Sequence, residues 1–195
     1  MDEKLKYHAQ VNHIKSKLSS LCGVSFRLKN HLNFRCANNF YYALVYSIVS
    51  YCIVVWGGVL ECTHRGDGLE RLYKRTVKNL FSKFYSQNLC TFKAANVLKL
   101  EDIYKYKTAV LMFRILKLDH FPSIRSKINL TQPDHNYPTR ASHLFNEPFP
   151  RVLAIRMNFQ YQIISIWNNL PNRIKNIERI GSFKRALKNY FLDAY

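Results

Sequence analysis

The chain has 195 residues, 30 of them Lys or Arg and 12 Asp or Glu, so it carries +18 at pH 7. That length suits one domain or two small ones; 48% hydrophobic and 14% aromatic residues exclude disorder, and six Gly and six Pro exclude collagen-like or linker character. The positive surplus points to an acidic partner, either nucleic acid or an anionic membrane surface, and it belongs to the whole chain, since residues 1–100 hold 15 basic and 5 acidic side chains and the remainder 15 and 7.

In chain order, Tyr7, Val11, Ile14, Leu18, Leu21 and Cys22 fall on one stripe at about 100° per residue, flanked by Lys15 and Lys17. This predicts an amphipathic helix running to about Leu28. Residues 36–60 then carry no formal charge, and from Phe40 onward only Ser47, Ser50, Gly57 and Gly58 are neither apolar nor aromatic. Residues 40–60 are long enough to cross a bilayer. They equally suit the central helix of a bundle, apolar on every side. Tyr41, Tyr42, Tyr46 and Tyr51 lie in this stretch, where lipid-facing spans prefer Leu and Ile. Ile53-Val54-Val55 breaks the helix early and Gly57-Gly58 ends it.

The cleanest pattern is 69–84. Leu69, Leu72, Tyr73, Val77, Leu80, Phe81 and Phe84 share a face, while Arg71, Lys74, Arg75 and Lys78 project from nearly the opposite side. A short helix is expected over Phe92–Leu98 with Thr91 as its cap. A longer, heavily buried one runs from Glu101 or Asp102 to about Leu118, its acidic start complementing the helix dipole. After Phe121-Pro122 the texture changes, because all six prolines fall in the fifty residues from Pro122 to Pro171. No helical periodicity survives from Thr131 to Pro150, and long irregular segments are commonly functional or disordered. Helix resumes from Arg151 to Trp167 and stops before Leu170-Pro171. Ser182 caps a last helix with Phe183, Ala186, Leu187, Tyr190 and Phe191 inward and Lys184, Arg185 and Lys188 outward.

Catalytic chemistry finds little footing. The adjacent carboxylates Asp2-Glu3 and Glu101-Asp102 sit at helix starts, where capping accounts for them. Phosphate-binding and nucleophile-elbow motifs are absent. The five cysteines (22, 36, 52, 62 and 90) form no CxxC, and Cys62 with His64 lacks a second pair to complete a zinc site. With a charged N-terminus and an odd cysteine count, free thiols in a reducing compartment are the expectation: nucleus or cytoplasm, not secreted. Cations beside aromatics suit phosphate neutralisation and base stacking. Arg71, Lys74, Arg75 and Lys78 are the first candidates, with Lys184, Arg185 and Lys188. In the irregular segment Tyr137 suits stacking on an unpaired base and Arg140 suits a phosphate. Equally, Tyr137 plugs a core gap and Arg140 pairs with Glu147 or a C-terminal carbonyl. Trp167 is assigned to packing and Asn168 to the turn before Pro171.

Several blocks carry a resemblance. Asp2-Glu3-Lys4-Leu5-Lys6-Tyr7 with His13-Ile14 and Lys17-Leu18 resembles the stretch just after the palm of non-LTR (LINE-type, jockey-like) retrotransposon reverse transcriptases. Tyr41 to Leu44, Ser47, Tyr51 and Val55-Trp56-Gly57 are similar to the next block, and Leu69-Glu70-Arg71-Leu72 with Lys74-Arg75 to the basic thumb helix. Tyr137-Pro138-Thr139-Arg140, Trp167-Asn168-Asn169-Leu170-Pro171 and Ser182-Phe183-Lys184 with Leu187-Lys188 resemble the C-terminal signatures, in the same order. The resemblance implies an RNA-directed DNA polymerase as parent, of which this chain is the thumb and C-terminal region. The chain departs from the family in having no Asp-Asp pair. The aspartates that hold two Mg ions would belong to an absent palm, so neither catalytic residue nor cofactor is assigned to this chain.

The expectation is therefore all-α: a thumb-like helical bundle over 1–120, then a C-terminal helical region over 121–195 that contains the irregular segment 131–150. Its expected role is to hold RNA, DNA or an RNA–DNA hybrid, with the parent polymerase's palm as a further partner. A single-pass membrane protein spanning 40–60 and a non-functional mobile-element relic are the alternatives.

Overall fold

The computed structural model describes residues 7–58, 60, 67–85, 91–126, 128, 145–147 and 158–195. Among these residues every regular element is helical and no strand occurs, as the periodicities predict. Packing divides the chain into two units, Met1–Tyr104 with Asn189–Tyr195, and Lys105–Lys188.

In the first unit, α1 (His8–Leu28) and α5 (Asp67–Phe81) pack along each other. Val11, Ile14, Leu18 and Cys22 bury the predicted stripe of α1, and Leu69, Tyr73, Val77, Leu80 and Phe81 bury that of α5. Polar groups lock the pair. Asn79 Nδ2 donates to the Cys22 carbonyl and to Ser25 Oγ, both at 3.3 Å, while Ser25 Oγ donates to the same carbonyl at 2.8 Å.

Between them lies the apolar segment, and here the structure corrects the expectation of one helix. It runs as α2 (Phe34–Phe40), a π-helical turn (Tyr41–Tyr46), α3 (Ser47–Ser50), a break at Tyr51–Cys52, and α4 (Ile53–Trp56). Ala37, Tyr41, Val45, Val49 and Ile53, every fourth residue, are all buried. An α-helix turns about 100° per residue, so a strict four-residue repeat drifts by about 40° per step. The wider π turn unwinds part of that drift and keeps the row facing the core. The break falls before the β-branched run, with Cys52 left-handed at φ 48°. Gly57 has an ordinary helical φ of −66° and serves instead by close approach, since a methyl there would overlap the buried ring of Tyr104. No helix among the described residues is long and apolar enough to cross a membrane.

A tyrosine relay ties the π turn to α5 and then to Leu98. Tyr73 Oη donates to the Leu98 carbonyl at 2.6 Å, so in its 2.8 Å contact with Tyr41 the proton comes from Tyr41. Burial pushes both phenols far above their ordinary value, which keeps them neutral donors. The short helix α6 spans Thr91–Ala94, so Thr91 is its first residue rather than a cap, and two residues past its end Asn96 is left-handed at φ 56°. At the start of α7 (Leu100–Lys117), Tyr195 Oη donates to Asp102 and accepts the Lys99 amide at 2.7 Å; Lys99 Nζ stands 3.9 Å over the Tyr195 ring.

The second unit centres on Phe113 of α7. Its ring stacks on Phe183 at 4.4 Å, and Trp167 lies 6.0 Å from Phe183. Trp167 is 5% exposed, in keeping with its assignment to packing. A one-turn helix, α8 (Pro122–Arg125), comes directly after Phe121, and Asn158 caps α9 (Phe159–Asn168) by accepting from the Gln160 amide at 3.0 Å. The helix expected to run unbroken from Arg151 is corrected at Asn158, whose backbone is extended; residues 151–157 lie outside the described residues. After α10 (Asn172–Lys175), α11 (Ile180–Asp193) begins two residues before Ser182, which is a helical residue and not the cap. The Arg179 carbonyl accepts the Phe183 amide at 2.9 Å and opens the helix without a side-chain oxygen.

Candidate nucleic-acid interface

Helix α5 presents its two halves as the spacing requires. Leu69, Tyr73 and Val77 are fully buried, whereas Arg71, Lys74, Arg75 and Lys78 are exposed. The four cations stand at i, i+3, i+4 and i+7, so they occupy a stripe about 100° wide and about 10 Å long. That length matches the rise of roughly three nucleotides along one strand. Lys78 lies in the last turn, where positive charge complements the helix dipole.

One member is already engaged. Lys74 Nζ meets Glu70 at 2.6 Å, one turn earlier on the same helix. Exposed pairs of this kind are worth little and are readily exchanged for a phosphate. Lys83, just beyond, donates to the Asn30 carbonyl at 2.8 Å and is committed to the fold.

The predicted cations of α11 stand differently. Arg185 is exposed, but Lys184 and Lys188 are half-buried rather than fully outward. Lys107 of α7, concealed in sequence by the apolar residues around it, belongs with them. Its own burial, then the charges of Lys184 and Arg114, hold its amine below the usual lysine value. Lys107 and Arg114 are seven residues apart on one helix face, a spacing visible in the sequence. Their nearness to Lys184 depends on tertiary packing and is not visible there.

Tyr137 and Arg140 lie outside the described residues, as do Cys62, Cys90 and His64. Of the irregular segment, 145–147 is described, and Asn168 grips it. Asn168 Oδ1 accepts the Phe145 amide at 3.1 Å, and its Nδ2 donates to the Phe145 carbonyl at 2.8 Å and to Glu147 at 3.0 Å. This residue bonds a distant segment of the chain, a larger task than the local turn expected of it. Lys175 Nζ donates to the Asn168 carbonyl at 2.9 Å, and its partial burial lowers its pKa. Cys36 and Cys52 are exposed free thiols and Cys22 a buried one. Among the described residues no three of His, Cys, Asp and Glu gather where a metal would bind. Comparison with protein-family models, curated proteins and solved structures gives no match.

Proposed function

We propose that this chain is a sequence-tolerant nucleic-acid-binding module, of the kind that the thumb and C-terminal region form in non-LTR retrotransposon reverse transcriptases, gripping RNA, DNA or an RNA–DNA hybrid by its backbone. The observation that carries the reading is the exposed row Arg71, Lys74, Arg75 and Lys78 set against a fully buried back. A rigid helix holding cations in register neutralises phosphates without reading bases. The net charge of +18 supplies a long-range field that draws a polyanion in. In this reading polymerisation and its two Mg ions belong to a palm that acts as partner, and this chain clamps the product.

Fluorescence anisotropy with a labelled 20-base-pair RNA–DNA hybrid tests it. Engagement of ~6–8 phosphates gives a slope of log K against log salt of about −5 to −7. The α5 row supplies at most four of those contacts, so reversing its four cations to Glu lowers the slope by about 3–4. Absence of binding at 50 mM salt, or an unchanged slope in that variant, refutes the proposal.

A further inference from the structure

A pocket of about 340 Å³ opens in the first unit between α1 and the end of α3. Its α1 wall is Gln10, His13 and Lys17, at i, i+3 and i+7, above the buried Ile14; its other wall is Ser47 and Tyr51, one turn apart, with the apolar Ile48 between them in sequence. This volume lies at the small end of sites that take a ligand in one piece, about 300–1,000 Å³.

The wall chemistry is one-sided. His13 and Lys17 bring basic nitrogen, and among the described residues no carboxylate lines the pocket. Between Glu3 and Glu61 there is no Asp or Glu, while Lys4, Lys6, Lys15, Lys17, Arg27, Lys29 and Arg35 fall in that interval. The opposite wall offers a ring. Tyr51 is 68% exposed, the most exposed of the large hydrophobic side chains among the described residues. Its backbone is nonetheless pinned, because the buried Trp56 donates its indole N–H to the Tyr51 carbonyl at 2.8 Å, and Cys52 turns the chain away in a left-handed conformation. An aromatic face in water, held at a fixed backbone beside basic groups, is the arrangement on which bases stack. Ser47 Oγ donates its proton to the Ala43 carbonyl at 2.6 Å, so toward a ligand it offers only lone pairs, suited to a ribose hydroxyl or a base amine.

We infer that this pocket holds a single nucleotide of a bound strand, its phosphate on Lys17 and His13 and its base on Tyr51. The inference rests on the nucleic-acid reading above but uses none of the α5 cations. It adds a stacking contact to a backbone grip and so fits a strand end or an unpaired nucleotide, where a base is free to leave its neighbours.

Isothermal titration of the full chain with AMP, adenosine and inorganic phosphate tests it. AMP is expected to bind at about 0.1–1 mM, the range for one charged contact plus one stack. Adenosine and phosphate are each expected about tenfold weaker. Lys17→Glu abolishes AMP binding, Tyr51→Ala reduces it about tenfold to the level of phosphate, and Tyr51→Trp retains it, which keeps the test decisive if the Ala variant fails to fold. AMP bound no better than phosphate, or Tyr51→Trp losing AMP while melting normally, overturns the inference. The two readings fail separately. A protein that binds the hybrid but not AMP loses only the pocket; one that binds AMP but ignores the hybrid loses the nucleic-acid reading and with it the bound strand, keeping only a mononucleotide site. The α5 Glu variant should retain AMP.

Discussion

Two helices carry basic rows of the same appearance in sequence, and the structure treats them in opposite ways. On α5 all four cations are exposed above a sealed apolar back. On α11, Lys184 and Lys188 are half-buried, and the Lys107 amine is held below the usual lysine value first by its own burial and then by the charges of Lys184 and Arg114. Cations of the first kind remain hydrated and exchange water for phosphate with little rearrangement. Among the second kind, Lys184 stands near Lys107 and Arg114, so charge crowding adds there to the cost of burial. A count of Lys and Arg does not separate the two; burial does.

The contrast breaks most visibly if α5 is reversed. Arg71→Glu, Lys74→Glu, Arg75→Glu and Lys78→Glu together should lower hybrid affinity by roughly 100-fold or more at 100 mM salt, read by anisotropy. Because Glu70 already holds Lys74, Lys74→Ala alone should cost less affinity than Arg75→Ala. The same reversal at Lys184, Arg185 and Lys188 should change affinity by only several-fold.

The sealed back of α5 is the next target. Tyr73→Phe removes the donor to the Leu98 carbonyl and the acceptor for Tyr41, and should destabilise by about 1–3 kcal/mol in urea titration. Tyr41→Phe leaves the Leu98 bond intact and should have the smaller effect. Both phenols titrate far above 10.0 when folded and near it when unfolded, so their contribution is whole below pH 10 and declines as pH rises beyond it. Urea midpoints at pH 9, 10 and 11 should fall in that order, and less steeply in Tyr73→Phe. Gly57→Ala, which drives a methyl into Tyr104, should destabilise by about 1–3 kcal/mol, measured the same way.

The smallest effect tests the crowded side of the comparison. Lys107→Gln removes a charge held in an unfavourable place, so it should raise the melting temperature by roughly 1–2 °C. Salt should shrink only the part of that gain owed to Lys184 and Arg114, because screening leaves the cost of burial in place. Rising pH should erase the gain, because the lysine's folded value lies below its unfolded one and the native protein sheds the charge first. A lower melting temperature would mean that the amine is needed where it stands.

Helices α1 and α5 were legible because apolar and charged residues alternate at 3- and 4-residue steps, which fixes the phase of each helix. Residues 40–60 were not. Where nearly every residue is apolar, the buried row Tyr41, Val45, Val49 and Ile53 leaves no contrast to read, and the break at Tyr51–Cys52 carries neither Gly nor Pro. Helix starts expected at Phe92 and Phe183 lie one and three residues further back, at Thr91 and Ile180; at the second, the Arg179 carbonyl opens the turn without a capping side chain. The α5 row was found because one helix contains it whole. The pocket was missed because Lys17 and Tyr51 come from elements whose meeting the sequence does not announce.

The Asn79 latch over Cys22 makes the α1–α5 seam its own reporter. A thiol reagent should modify Cys36 and Cys52 within seconds and reach Cys22 only when the two helices part. With Cys62 and Cys90 replaced by Ser, the lag between the fast and slow labelling phases clocks how often the seam breathes, using only side chains the protein already has.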